Sequence, residues 1–351
     1  MERTKSKEAN LKIGFFSRSY AFNRHKRLSA YSTMMPEAKL ILFTTNKLKD
    51  IKKWNGIKTL EIIELKPTII GYLKLINYCK KNKVKYLSNL GHPKSLPIIL
   101  INKLLNKTKY IIFRGLLKNN LWDCLPFANF ADKIMVNDVL LYKKLKKSPH
   151  KDKVYYLPAP TDTSFYILKD KKEMRKKLGL PLNKKIVIFV GRVNENKGSE
   201  YLLEAIKSNK DILFIVIGSI SDERFKSLKS PNYLYLGKKD GKELVEYYGA
   251  ADIGFFIIKI EGGGLAMTSH ECLSCGRPII ISKRKDYMGG KGVIFPTKES
   301  PESVNKTLRD FFKTKIRNSK ELEKKCRDFA INTCSIEKFT KNYRRLFLDR
   351  E

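Results

Sequence analysis

The sequence predicts an α/β protein of two domains, each built around a parallel sheet covered by helices. The chain has 351 residues, more than a single hydrophobic core usually serves. Short apolar runs alternate with longer helical patterns along its whole length, as in βαβ units. Most of these runs are apolar without interruption, which is typical of strands buried on both faces. Two successive parallel sheets therefore account for the pattern.

The first domain is predicted over residues 1–164. Its strands are expected where short apolar runs end in polar or glycine-containing turns, and a helix is expected near residues 25–34. The predicted strands are residues 11–16, 39–44, 60–65, 84–87, 110–113 and 133–136, the last of which is expected to close the sheet.

The second domain is predicted over residues 165–335. The segment 155–168 has the composition of an interdomain linker, with Pro158, Pro160 and Asp162. A polar helix is expected at residues 171–178, and a last amphipathic helix, about residues 336–351, is expected to pack back on the first domain. The predicted strands are residues 186–190, 213–217, 233–236, 253–258 and 278–281.

The chain is strongly basic, with 72 Lys and Arg against 35 Asp and Glu and a net charge of +37. Residues 1–164 contain 33 of these bases and 11 of these acids, so this shorter part carries +22. Such a field attracts polyanions such as nucleic acid, anionic lipid or phosphorylated substrates. An AT-rich genome, which favours Lys codons, is an alternative source of part of the charge. No nucleic-acid-binding motif accompanies it, so no specific nucleic-acid partner is expected.

Hydropathy and cysteine usage indicate an intracellular protein. No run approaches the roughly 20 apolar residues of a membrane-spanning helix, and the first ten residues lack the apolar core of a signal peptide. The six cysteines are scattered, and the pair Cys272 and Cys275 lacks a second pair at zinc-site spacing. We expect a cytoplasmic protein whose basic first domain contacts anionic lipids at the inner face of the cell membrane. The candidate contacts are Arg24, Lys26, Arg27, Lys80, Lys81, Lys83, Lys85, Lys143, Lys144, Lys146 and Lys147.

Two loops of the second domain carry residues suited to a phosphorylated ligand. The first follows a buried strand, contains Gly191, Arg192 and Lys197, and opens a helix. A helix start offers free N–H groups to an anion. Arg192 as a forked donor and Lys197 as a point charge suit a diphosphate. Two solvated surface charges are the alternative interpretation.

The second loop contains Glu261 followed by Gly262, Gly263 and Gly264. Three glycines allow backbone N–H groups to approach a ligand closely. Glu271 follows about two helical turns later and could accept hydrogen bonds from ribose hydroxyls. The alternative for Glu271 is an exposed helix position without a ligand.

Several motifs follow one another in residues 154–282. They are Val190-Gly191-Arg192 with Lys197-Gly198, Ala250-Ala251-Asp252, Glu261-Gly262-Gly263-Gly264, and Glu271-Cys272-Leu273-Ser274-Cys275-Gly276-Arg277-Pro278. This order resembles glycosyltransferase family 4, a family of retaining enzymes. The resemblance implies the GT-B fold, in which two Rossmann-like domains face each other across a cleft. It also implies metal-independent transfer of a sugar from a nucleotide-diphosphate sugar to a glycan or lipid-linked acceptor. The nucleotide sugar is then a substrate, and no cofactor is expected.

The resemblance assigns roles residue by residue. Arg192 and Lys197 would bind the donor diphosphate and neutralise charge on the leaving group. Glu271 matches the second glutamate of the E-x(7)-E motif and would hold the ribose. The first glutamate falls at Gly263 in this chain, and Glu261 is the candidate to replace it. The remaining donor-binding candidates are Gly191, Gly262 and Gly264.

Acceptor candidates in the first domain are Arg18, His92 and Arg114, each after a predicted strand. Arginines there would suit an acceptor that carries phosphate. Two further functions remain open. A sugar-nucleotide epimerase would need acid and base groups around the sugar, which the residues Arg192, Lys197 and Glu271 do not clearly supply. A catalytically degenerate nucleotide-sugar-binding subunit is suggested by Gly263.

Overall fold

The computed structural model describes residues 11–17, 38–45, 60–89, 96–114, 125–136, 139–157, 160–259, 267–283, 290–314 and 319–348. The chain divides into two compact units, one of Met1–Pro158 with Phe339–Glu351 and one of Ala159–Lys338. The domain limits expected from the sequence stay predictions. Within the described residues, every helix falls short of the length or the apolar character needed to cross a membrane.

The first unit contains a parallel sheet of seven strands. These are β1 (Leu11–Ser17), β2 (Ala38–Thr44), β3 (Leu60–Glu64), β4 (Tyr86–Asn89), β5 (Lys109–Arg114), β6 (Lys133–Val136) and β7 (Val154–Tyr156), in the order β3-β2-β1-β4-β5-β6-β7. The helices described with it are α1 (Ile69–Lys81), α2 (Leu96–Asn106), α3 (Leu125–Phe130) and α4 (Val139–Lys146). Its central strands are apolar because both faces are covered: Ile13, Phe15 and Phe16 of β1 are all buried.

Strand β7 and the C-terminal helix bear on what the sequence predicted for the edge of this sheet. Strand β7 pairs with β6, so the expectation that β6 closes the sheet and that residue 155 begins a linker is wrong. Three residues are too few to show a strand period, and a 3-10 turn at Lys151–Lys153 precedes them. In the C-terminal helix of the chain, the carbonyl of Leu346 accepts a hydrogen bond from Lys133 Nζ, and Leu346 is buried.

The second unit contains a parallel sheet of six strands. They are β8 (Lys185–Val190), β9 (Ile212–Ile217), β10 (Tyr233–Tyr235), β11 (Ile253–Phe256), β12 (Ile279–Ser282) and β13 (Ile294–Thr297), in the order β10-β9-β8-β11-β12-β13. The helices of this unit are α5 (Lys171–Lys177), α6 (Ser199–Ser208), α7 (Glu223–Lys226), α8 (Gly241–Ala250), α9 (Met267–Ser274), α10 (Pro301–Lys313) and α11 (Lys320–Cys334). The last helix, α12 (Ile336–Leu348), belongs to the first unit from Phe339 onward.

All five strands predicted for this unit are present, and β13 was not predicted. Strand β13 lies at the edge of the described sheet beside β12 and contains Pro296, a residue that sheets tolerate at their edges. The strand order reverses at β8, which lies between β9 and β11. Ligands of open parallel sheets bind beyond the carboxyl ends of the strands at such a reversal. The described residues that directly follow β8 and β11 therefore lie at the expected ligand edge.

A buried ion cluster fixes helix α5 against this sheet. Asp252 accepts hydrogen bonds from Lys171 Nζ at 2.8 Å, Arg175 Nη2 at 2.9 Å and the backbone N–H of Ile186 at 2.8 Å. Burial raises the pKa of Asp252, but the two cations and the hydrogen bonds outweigh it, so the pKa lies below its ordinary value. The Asp252 of the Ala250-Ala251-Asp252 motif thus has a structural role in the described residues.

Candidate active site

The loop after β8 begins with a close contact between two glycines. The N–H of Gly191 donates to the carbonyl of Ile217 at 2.9 Å, at the end of β9. Gly218, the next residue, has φ of 137°, and a Cβ at this position would lie 1.9 Å from the carbonyl oxygen of Gly191. Only glycine fits this approach without displacing backbone. The pair holds the start of the loop against the neighbouring strand.

The same loop is held from its other side by the end of β11. Gly198 has φ of 65°, and a Cβ there would lie 2.9 Å from the carbonyl oxygen of Ile257. The carbonyl of Asn196 accepts a hydrogen bond from the N–H of Lys259 at 3.3 Å. Lys259 also reaches the adjacent helix α6, where its Nζ lies 2.7 Å from Glu200 Oε2. The turn that carries Lys197 is therefore hydrogen-bonded to Lys259, two positions before Glu261 in the sequence.

Within this loop the backbone is fixed locally. Residues Glu195–Lys197 form a 3-10 turn, capped by the Asn194 side chain, which accepts from the N–H of Lys197 at 3.1 Å. Val193 is fully buried and its N–H donates to Ser219 at 2.9 Å. Arg192 is exposed, and Lys197 is half-buried. This locally hydrogen-bonded backbone places Arg192 and Lys197 at the carboxyl edge of the sheet, and their binding of an anion stays a prediction.

Glu271 lies in α9, the helix that follows the second loop. Its side chain is buried rather than exposed, and Tyr248 of α8 donates its hydroxyl to Glu271 Oε2 at 3.2 Å. The same hydroxyl lies 3.1 Å from the carbonyl oxygen of Thr268. The Tyr248 ring in turn meets the ring of Tyr166 edge to face, with centroids 6.3 Å apart. The alternative of an exposed helix position for Glu271 is therefore excluded.

Glu271 lies near the phenol groups of Tyr248 and Tyr166, and its charge affects the pKa of both. Burial, followed by the charge of Glu271, raises the pKa of Tyr248 well above its ordinary value. Burial and the same carboxylate also raise the pKa of Tyr166. Both phenols are consequently protonated at neutral pH and can donate to the carboxylate. Such an arrangement orients the side chain of Glu271.

Only some of the remaining predicted site residues lie within the part of the chain that the structure describes. Arg114 is the last residue of β5. Glu261, Gly262, Gly263, Gly264, Arg18 and His92 lie outside the described residues.

Cys272 and Cys275 are fully buried in or just after α9, as expected for packing residues. Burial raises the pKa of the Cys275 thiol to about 12. Among the residues that the structure describes, no group of three or more His, Cys, Asp or Glu side chains is arranged to hold a metal ion.

Two residues that shape the site were missed by the sequence interpretation. Gly218 directly follows a buried strand, as Gly191 does, and this position in the sequence could have identified it as a loop residue of the site. Tyr248 gave no such signal, because it lies 23 residues before its partner Glu271 and on another helix. Only the fold brings those two side chains together.

The sequence of the second unit matches a known family. Residues 170–333 match the model of the family Glycosyl transferases group 1. This range contains Arg192, Lys197 and Glu271. The matched range thus includes both cations of the β8 loop and the buried carboxylate.

Two curated proteins are similar to the chain in sequence. An uncharacterized 41.2 kDa protein in the cps region of Klebsiella pneumoniae is 28% identical over 304 residues, which is 79% of this chain and 76% of that protein. TuaC of Bacillus subtilis, a proposed teichuronic acid biosynthesis glycosyltransferase, is 31% identical over 126 residues, 36% of this chain and 30% of that protein.

Solved structures share the fold at low identity. A glycosyltransferase from Rickettsia africae superposes with a TM-score of 0.76 at 15% identity, over 97% of this chain and 100% of that chain. Anabaena Alr3699/HepE in complex with UDP and glucose superposes with a TM-score of 0.73 at 14% identity, over 95% and 98%. The two parallel-sheet domains thus have GT-B glycosyltransferases as structural neighbours. The family match thus covers residues 170–333, and the structural neighbours show that the chain shares the two-domain parallel-sheet fold of GT-B glycosyltransferases.

Proposed function

We propose that this protein is a retaining, metal-independent glycosyltransferase of the family 4 type. It transfers a sugar from a nucleotide-diphosphate sugar to a glycan or lipid-linked acceptor. The observation that carries the proposal is the bond between the carbonyl of Asn196 and the N–H of Lys259. It joins the turn that contains Lys197 to Lys259, which follows β11, at the reversal point of the sheet.

The two cations carry the central step. The bond between the anomeric carbon and the diphosphate oxygen breaks, and both of its electrons stay on that oxygen. An acceptor hydroxyl oxygen forms a bond to the same carbon, on the same face. The hydroxyl proton passes to the departing phosphate oxygen. Negative charge grows on the diphosphate during this step, and Arg192 and Lys197 stabilise it there. Charges that are already held in place stabilise a transition state strongly, because little reorganisation is needed.

Glu271 holds the nucleoside end of the donor. Its carboxylate accepts hydrogen bonds from ribose hydroxyls, while Tyr248 fixes the orientation of the carboxylate from the protein side. In this arrangement the anionic Glu271 binds the ribose, and the cationic Arg192 and Lys197 bind the diphosphate. Gly263 occupies the position of the first glutamate in the E-x(7)-E motif, and Glu261 is proposed to replace that glutamate.

The proposal assigns to the two cations the neutralising role that a divalent metal has in other phosphate sites. The acceptor would bind through Arg18, His92 and Arg114 of the first domain. Cys79, Cys272, Cys275, Cys326 and Cys334 are buried free thiols, the state that a reducing compartment preserves, and this supports a cytoplasmic location.

A donor screen followed by product analysis tests the proposal. UDP-, GDP- and ADP-sugars are compared for the rise in melting temperature, and the best donor is incubated with glycan and lipid-phosphate acceptors in the presence of EDTA. We expect a product with the anomeric configuration of the donor and full activity in EDTA. An inverted product, or loss of activity with EDTA, contradicts the mechanism. An isomerised sugar nucleotide indicates an epimerase, and donor binding without turnover or hydrolysis indicates a binding subunit.

A further inference from the structure

Two neighbouring helices of the first unit expose large aliphatic side chains. We name their outer face the α1/α2 surface. It consists of Ile69, Ile70 and Leu73 of α1, exposed by 78%, 78% and 51%, and Ile101, Leu104 and Leu105 of α2, exposed by 46%, 81% and 66%. These six are nearly half of the 13 large hydrophobic side chains exposed among the described residues. Isolated exposed aliphatics are ordinary, but a concentration of this kind marks an interaction surface.

The topology puts both helices on one side of the sheet. Helix α1 connects β3 to β4, and α2 connects β4 to β5, so both crossovers run in the same direction along the strand order. Right-handed crossovers in one direction lie on one face. The helices pack side by side, and Asn106 Nδ2 donates to the carbonyl of Ile76 at 2.9 Å. Their opposite faces, with Leu75 and Ile99, are buried in the core of the unit.

The charge around this surface is mainly positive, although Glu64 is exposed before α1 and Asp132 pairs with Lys103 of α2. From residue 65 to residue 122 the sequence contains twelve Lys or Arg and no Asp or Glu. Lysines exposed on the two helices or directly beside them are Lys66, Lys74, Lys80, Lys81, Lys83, Lys85 and Lys107. An exposed aliphatic face bordered by lysines matches the physical requirements of the interface of an anionic bilayer.

We propose that the α1/α2 surface is a membrane-docking face that inserts its aliphatic side chains at the headgroup boundary of an anionic bilayer. The lysines bind the lipid phosphates, and the leucines and isoleucines enter the acyl region. A second copy of the chain is a poorer occupant, because pairing the surface with itself brings lysines against lysines. The proposal goes beyond the proposed function and does not rest on it.

Vesicle sedimentation with a double variant tests the proposal. The full chain is mixed with vesicles of phosphatidylcholine and phosphatidylglycerol, or with vesicles of phosphatidylcholine alone, and the bound fraction is measured. L104S/L105S should weaken binding to the anionic vesicles by about tenfold or more, because two leucines lose apolar burial. The matched control L182S/I331S removes two aliphatic side chains exposed by 43% and 37% in the second unit and should bind as wild type.

A charge variant tests the other half of the proposal. K80Q/K81Q should weaken binding to the anionic vesicles by about fivefold per lysine. Thermal melting shows that each variant is folded, and the solution mass by light scattering is recorded without vesicles. The proposal is overturned if wild type does not bind anionic vesicles, if it binds neutral vesicles equally, or if L104S/L105S binds as wild type. A dimer that L104S/L105S dissociates, without vesicle binding, would show a second copy as the occupant.

Discussion

The hydroxyl of Tyr248 lies 3.2 Å from Oε2 of Glu271, so a helix preceding β11 orients the carboxylate of the helix that follows it. Glu271 is buried, and the two tyrosines near it are kept protonated by burial and by its charge. One carboxylate oxygen is thereby committed to the protein. In the proposed donor complex, the remaining acceptor capacity of the carboxylate is directed to the ribose.

Replacing Glu271 with Gln should weaken binding of a nucleoside diphosphate about tenfold to a hundredfold, because hydrogen bonds to a charged acceptor are lost. Isothermal titration measures this effect. The loss should be smaller for the 2′-deoxy nucleotide, which lacks one of the hydroxyls. An equal loss for the ribo and deoxy forms would mean that Glu271 does not contact that hydroxyl.

Tyr248→Phe removes the orienting hydroxyl and leaves the ring in place. We expect a weaker effect than that of Glu271→Gln, about threefold to tenfold in nucleotide affinity, because the carboxylate stays but loses one donor. The double variant should bind no more weakly than Glu271→Gln alone, since Tyr248 acts through Glu271. Additive losses would show that Tyr248 acts independently.

Gly218→Ala should distort the β8 loop, because its Cβ would lie 1.9 Å from the carbonyl oxygen of Gly191. Gly237→Ala is the matched control: Gly237 also has a positive φ, but its Cβ would meet nothing within 4 Å. Urea unfolding should show that Gly218→Ala costs about 1–3 kcal/mol more stability than Gly237→Ala. Nucleotide affinity should fall only for Gly218→Ala. Equal effects of the two substitutions would contradict the close contact.

Asp252→Asn should lower the free energy of unfolding by about 3–5 kcal/mol at neutral pH, because two largely buried cations lose their charged partner. The folded-state pKa of Asp252 is lowered, so its stabilising contribution is present above the unfolded pKa and is lost as pH falls through the folded value. Urea unfolding should therefore show that the difference between wild type and variant shrinks below about pH 4. A constant difference at all pH values would contradict this.

The sequence predicted the parts of the fold that are long and regularly patterned. Strands β8 and β9 are almost uninterrupted apolar runs, and helix α6 has a clear helical period of apolar residues. The glycine and basic residues after β8 predicted the ligand edge. Strand β7 was missed because three residues are too few to show a period, and β13 is a run of only four residues that contains Pro296. The partnership of Tyr248 with Glu271 depends on packing between α8 and α9, which no local pattern encodes.

Nucleotide-diphosphate affinity of Arg192→Ala and Lys197→Ala tests the central assignment most directly. Lys210→Ala is the matched control, because Lys210 is an exposed lysine before β9, at the amino edge of the same sheet. Each site variant should bind the nucleoside diphosphate about tenfold to a hundredfold more weakly, with a smaller loss for the monophosphate, while Lys210→Ala binds as wild type. Wild-type affinity in both site variants would contradict the account.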